Sequence, residues 1–108
     1  MRRARTLPVL ADNGVVQRGT VIEVIPEALP ADADAQDPRV FRARVENTSG
    51  LRESVVWEFD GQPYSLTELT NRLWDEFGVA CLEHYIFKHW RVVGHSATMW
   101  EEAERFPR

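Results

Sequence analysis

The change in hydrophobic period at Ser65 is the feature that most constrains how this chain folds. From that point, apolar side chains recur at the spacing of one helix face: Leu66, Leu69, Leu73, Trp74 and Phe77. Ser65 and Glu68 have the spacing of a capping box, in which each side chain accepts a hydrogen bond from the other residue's backbone amide. Gly78 suits the left-handed conformation in which many helices end. The sequence therefore predicts a helix that begins after Ser65 and ends at Gly78.

The residues before this helix have the two-residue period of β-strands. Residues 20–25 are rich in β-branched side chains and precede a proline, which predicts a first strand. Residues 40–45 place Phe41, Ala43 and Val45 on one face of a second strand and two arginines on the other. Residues 55–60 alternate in the same way and end in the hairpin dipeptide Asp60-Gly61, which predicts a third strand.

The residues after the helix predict one more strand and a second, shorter helix. Residues 85–93 are aromatic and β-branched, and Thr98 with Glu101 repeats the capping-box spacing. The resulting order is β-β-β-α-β-α. Strands gathered before helices indicate an α+β fold with a small, mostly antiparallel sheet of about four strands, one main helix and a short C-terminal helix.

The length of 108 residues leaves room for one domain, residues 1–108. We expect residues 1–12 to form a flexible N-terminal arm and residues 30–38, which lack large apolar side chains, to form a mobile acidic loop. The apolar stretch at residues 7–11 is too short for an export signal, and no run approaches the roughly 20 residues that span a bilayer. A single cysteine fits a reducing compartment. These features predict a cytoplasmic protein with no membrane partner.

The charge distribution counts against an extended nucleic-acid surface and suggests an alternative partner. The formal net charge is −4, and residues 31–78 contain ten Asp and Glu against five Lys and Arg. Nucleic-acid binders usually have a basic surplus, because neutralising phosphates supplies most of the non-specific affinity. Local basic stripes remain compatible with a negative total. An acidic adaptor or inhibitor that docks a basic protein partner is therefore the alternative function.

The candidate catalytic and metal residues are few and badly spaced. Cys81 with His84 and His89 is the possible nucleophile and base, but a cysteine in an apolar context is usually a core residue. The same residues, even with His95, lack the second ligand pair that structural zinc sites use. Asp60 is explained by its hairpin turn. We expect no catalytic residue, no metal and no cofactor, and therefore a protein that is not an enzyme.

Aromatic and basic residues together predict a binding surface. Trp57 and Trp74 lie on apolar faces of their elements, whereas Trp90 lies between His89 and Arg91, where its ring would stack on a base. The predicted nucleic-acid or ligand surface consists of Arg42, Arg44, Lys88, Trp90 and Arg91. Alternating arginines are also typical of the wet side of an ordinary sheet, and this second interpretation stays open.

Four short motifs in order resemble the restriction enzyme and adenine methyltransferase associated (RAMA) domain. They are Gly19-Thr20, then Phe41-x-Ala43-x-Val45, then the run from Trp57 through Asp60-Gly61 to Tyr64-Ser65-Leu66-Thr67, and finally Trp90 with Val92. The resemblance implies an accessory module beside restriction and modification components that helps to recognise nucleic acid. We expect DNA as the partner, bound weakly or through another protein, by a monomer or by a homodimer that pairs through the exposed edge of the fourth strand. The resemblance implies no catalytic residue.

Overall fold

A five-stranded antiparallel sheet organises the fold in a computed structural model that describes residues 6–48, 53–80 and 85–106. The strands lie in the order β4-β3-β2-β1-β5, and the three α-helices are α1, α2 and α3. The strand bounds are β1 Val21–Val24, β2 Arg42–Val45, β3 Val55–Trp57, β4 Pro63–Tyr64 and β5 Trp90–Val92. The helix bounds are α1 Thr6–Asp12, α2 Leu66–Phe77 and α3 Met99–Glu104. The predicted α+β fold is confirmed, with one strand more than expected among the described residues.

Both predicted capping boxes form. The Ser65 hydroxyl accepts from the Glu68 amide at 3.1 Å, and the Glu68 carboxylate accepts from the Ser65 amide at 3.1 Å. Thr98 and Glu101 make the same reciprocal pair at the start of α3. Gly78 ends α2 with a φ of 74°. The sequence could predict these helix ends because each cap is formed by residues within a few positions of the helix end.

The strands are shorter than the alternating patterns predicted. Residues 38–41 form a 3₁₀ turn before β2, and residues 86–89 form another before β5, so Lys88 and His89 lie outside the strand. The extra strand β4 follows the turn at Gly61, whose φ is 71°. It has two residues and begins with a proline, which is tolerated at a sheet edge.

The predicted flexible arm over residues 1–12 is wrong from Thr6 onwards, while residues 1–5 lie outside the described residues. Thr6–Asp12 is the helix α1, and its residues Leu7, Val9 and Leu10 are buried in the core. The helix has no side-chain cap recognisable in sequence and contains Pro8, so its local signals are weak. Burial of its apolar side chains against the rest of the fold supplies the stability that these signals lack.

One hydrophobic core lies between the inner face of the sheet and the helices. Strand residues such as Ile22, Ala43 and Val45 pack there with Leu69 and Leu73 of α2. The opposite, outer face of the sheet carries charged side chains together with the half-buried Val21 and Val56, because successive residues of a strand point to opposite sides. The segment 30–38 contains a 3₁₀ turn, Ala33–Ala35, and its mobility stays a prediction.

Candidate nucleic-acid interface

A row of charged side chains crosses three strands on the outer face of the sheet. Glu23 of β1 lies opposite Arg42 of β2 on one side and opposite Arg91 of β5 on the other. Arg91 Nε donates to Glu23 Oε2 at 2.8 Å, and Arg42 Nη2 lies 3.8 Å from Glu23 Oε1. One carboxylate therefore holds two guanidinium groups side by side on this face.

Arg44 extends the basic row along β2. Its side chain is 43% exposed and lies 4.0 Å from the carboxylates of both Glu46 and Glu58. Arg18 also pairs with Glu46, at 2.7 Å. The expected solvent-facing orientation of Arg42 and Arg44 is confirmed, since the β2 residues between them and after them are buried. Their binding role stays a prediction, and neighbouring carboxylates lower the net positive charge of the face.

Trp90 is not part of this surface, which corrects the sequence prediction. Its side chain is fully buried on the inner face of β5, and its indole Nε1 donates to Thr70 Oγ1 at 2.9 Å. The Thr70 hydroxyl in turn donates to the carbonyl of Leu66 at 2.7 Å, so the buried indole N–H and hydroxyl both have partners. A ligand cannot stack on Trp90 without opening the core. The same pleat that buries Trp90 turns Arg91 outward.

The aromatic residue beside Lys88 is instead Trp100, in α3. The Trp100 and Tyr85 rings stack with centroids 4.4 Å apart and an interplanar angle of 28°. Lys88 Nζ lies 5.1 Å from the Tyr85 centroid and 5.5 Å from that of Trp100, within cation–π range of both. Sequence reasoning missed this cluster, because only the fold brings α3 against the turn before β5.

A groove of about 490 Å³ adjoins this cluster at the β5 edge of the sheet. Its walls come from the end of β1, from β5 and the turn before it, and from the start of α3. The lining residues are Ile25, Glu27, Lys88, Arg91, Ser96, Thr98, Trp100 and Glu101. Lys88 and Arg91, both predicted site residues, thus lie in one concavity. Arg91 joins the groove to the outer-face row through its bond to Glu23.

The groove combines two cations with two carboxylates. Glu101 takes part in the capping box at the start of α3. The hydrogen bond that its carboxylate accepts from the Thr98 backbone lowers the pKa of that carboxyl. The charges of Arg105 and Lys88 shift this pKa in the same direction. Glu27 is the second carboxylate and lies on the wall formed by the end of β1. The formal charges of the lining side chains therefore sum to zero.

Of the cysteine and histidine candidates for catalysis or metal binding, the structure describes His89 and His95. Cys81 and His84 lie outside the described residues. His89 is fully buried, and His95 Nδ1 lies 2.7 Å from Glu102 Oε1. In residues 6–48, 53–80 and 85–106, no group of three or more His, Cys, Asp and Glu side chains has the arrangement of a metal site.

Asp60 completes a hairpin and ties it to α2. Its carboxylate accepts from the Gln62 backbone at 2.8 Å and from the Tyr64 hydroxyl at 2.5 Å. Arg72 of α2 donates to the same hydroxyl at 2.7 Å. The bond to Asp60 is the main reason that the pKa of Tyr64 is raised. These contacts account for Asp60 structurally, as the turn interpretation predicted.

Five of the ten acidic side chains of residues 31–78 take part in ion pairs with arginines of the described residues. The contacts are Asp37–Arg39, Glu46–Arg18, Glu58–Arg44, Asp60–Arg72 and Glu76–Arg72. Exposed ion pairs of this kind add little stability. Most of these arginines belong to the same segment, so the pairing leaves its acidic surplus in place.

Comparisons with protein-family models, with curated proteins and with solved structures find no match for this chain. Among the helices of the described residues, none has both the length and the apolar character needed to cross a bilayer.

Proposed function

We propose that this protein is a cytoplasmic, non-enzymatic recognition module that binds nucleic acid through the outer face of its sheet. The observation that carries the proposal is the row of three arginines, Arg42, Arg44 and Arg91, on one exposed face. Guanidinium groups bind phosphate oxygens in a bidentate manner and stay charged at all physiological pH values. The family resemblance adds the setting, a system of DNA restriction and modification or another DNA-defence system.

The carboxylates on the same face set the expected affinity. Glu23 bridges Arg42 and Arg91, and Glu46 and Glu58 lie near Arg44, so each phosphate contact competes with an internal ion pair. Binding therefore releases few counterions, and affinity falls gently with salt compared with a basic protein. A second protein that contacts the same nucleic acid would supply the remaining affinity, in keeping with an accessory module.

The test is a titration of labelled single-stranded and duplex DNA, unmodified and base-methylated, at several salt concentrations. Arg42→Gln and Arg44→Gln should each weaken binding and reduce the slope of log K against log salt, by less than the value of about 1 expected for an arginine with no internal ion pair. Arg72→Gln is the matched control, because it removes the same charge from α2, away from this face. Unchanged binding by a variant combining Arg42→Glu with Arg44→Glu would overturn the site.

If no oligonucleotide binds the folded protein, the acidic adaptor becomes the better hypothesis and partner capture the next experiment.

A further inference from the structure

The groove beside β5 has properties that the outer-face arginines do not explain. A face that only holds phosphates needs no concavity and no aromatic wall. This groove has both, and its volume of about 490 Å³ lies within the range of small-molecule sites, roughly 300–1,000 Å³. Its lining places one aromatic ring, two cations and two hydroxyls in the same cavity.

Trp100 is held in a fixed orientation within the groove. The Tyr85 ring stacks against the indole at 4.4 Å, and Lys88 lies at the side of the stacked pair. Trp100 lines the groove, whereas Tyr85 does not. The stack therefore restrains rotation of the indole, which forms part of the groove wall. A planar ring that enters would continue the stack already begun by Tyr85 and Trp100.

The polar groups of the groove match the other parts of a nucleotide. Lys88, in the turn before β5, and Arg91, in β5 itself, both line the groove, and both are cations of the kind that bind phosphate. Ser96 and Thr98 offer hydroxyls to base or sugar. Glu27 offers a carboxylate acceptor, the group that pairs with an exocyclic amino group of a base.

We propose, on the basis of the nucleic-acid function above, that the groove binds one unstacked base of a single strand, with the base on Trp100 and its phosphate at Lys88 and Arg91. A base inside a duplex has both faces stacked and cannot enter. The neighbouring phosphates of a strand would continue from Arg91 across Glu23 to Arg42, along the row of charges on the outer face. A free mononucleotide offers the same base and phosphate to the groove, but it has no neighbouring phosphates that could reach the outer face.

The experiment measures binding of a labelled single strand of about 12 nucleotides, the matching duplex and the deoxynucleoside monophosphates. Trp100→Leu should weaken single-strand binding by about tenfold, the usual effect of losing one aromatic stacking partner. Trp74→Leu is the matched control, since it removes a half-buried tryptophan from α2. Ser96→Trp fills the groove from an exposed position, so it tests the site even if Trp100→Leu fails to fold.

Support consists of a single strand that binds more tightly than both the duplex and the monophosphates and is weakened by Trp100→Leu or Ser96→Trp. If neither Trp100→Leu nor Ser96→Trp changes strand binding while Arg42→Gln and Arg44→Gln weaken it, the groove proposal is wrong and the proposed function stands. If the monophosphates bind as tightly as the strand, the ligand of the groove is a free nucleotide, and the proposal of a single strand is wrong. If neither nucleic acid nor monophosphate binds, the proposed function fails together with the groove.

Discussion

Two tryptophans show which residue-scale properties sequence can predict. Trp90 was predicted at the surface because it lies between His89 and Arg91, yet the pleat turns it inward and Thr70 accepts its indole N–H. Trp100 has an unremarkable sequence context but lines the groove beside Lys88. Residue type and neighbours predicted a cation-aromatic site, and the structure places Lys88 and Arg91, but not Trp90, on the lining of one groove. Which tryptophan completes it depends on contacts distant in sequence.

At the residue scale, Tyr64 should make stability depend on pH in the alkaline range. The bond from its hydroxyl to Asp60 raises its pKa above the ordinary value of 10.0. The folded state therefore holds the phenolic proton more tightly than the unfolded state, and this stabilisation is fully present below pH 10. As the pH rises from about 10 through the folded-state pKa, unfolding comes to release the proton and the stabilisation is lost.

The measurement is the urea unfolding midpoint of the wild type and of Tyr64→Phe between pH 8 and about 11. We expect the wild type to be the more stable at pH 8 and its advantage to shrink above pH 10. Asp60→Asn keeps a hydrogen-bond acceptor without the charge and should reduce this pH dependence. Wild-type and Tyr64→Phe curves that stay parallel over the whole range would contradict the assignment.

At the scale of elements, the helix ends that lie where the sequence predicted them are those marked by capping residues close by in the sequence. Both capping boxes and the Gly78 terminus were read correctly from residues within a few positions of each other. The helix α1 was missed because its stability comes from packing against the core, and the strand β4 because it has only two residues and begins with a proline. The 3₁₀ turn before β2 begins at the local signal of Asp37 and Pro38, whereas the turn before β5 lies in an aromatic run and has no side-chain cap.

The cap of α2 gives the prediction at this scale. Ser65→Ala removes the acceptor for the Glu68 amide and should lower the free energy of unfolding by about 1 kcal/mol, within a range of 0.5–2. Thr67→Ala is the control, since Thr67 is exposed and makes no part of the capping box, and we expect it to change stability by less than about 0.5 kcal/mol. Chemical denaturation of the three proteins checks this. Equal stability of Ser65→Ala and Thr67→Ala would show that the box is dispensable.

At the scale of the whole molecule, the first helix belongs to the core. Leu10 is fully buried, and the backbone amide of Val15 donates to its carbonyl at 2.9 Å. Leu10→Ala should therefore destabilise the protein by about 2–5 kcal/mol, the usual cost of a buried cavity. Asp12→Ala, an exposed change in the same helix, should cost less than about 0.5 kcal/mol. Equal unfolding midpoints for the two variants would restore the flexible-arm prediction.

The sheet separates the residues that hold the molecule together from those that face its surroundings. Ile22 and Glu23 are adjacent in β1, but the first is fully buried and the second binds two arginines on the outer face. In an evolving lineage, substitutions at every second strand position can then change the charge and shape of the outer face at little cost in core packing. The stability of the fold and the chemistry of this surface are in this way subject to separate selection.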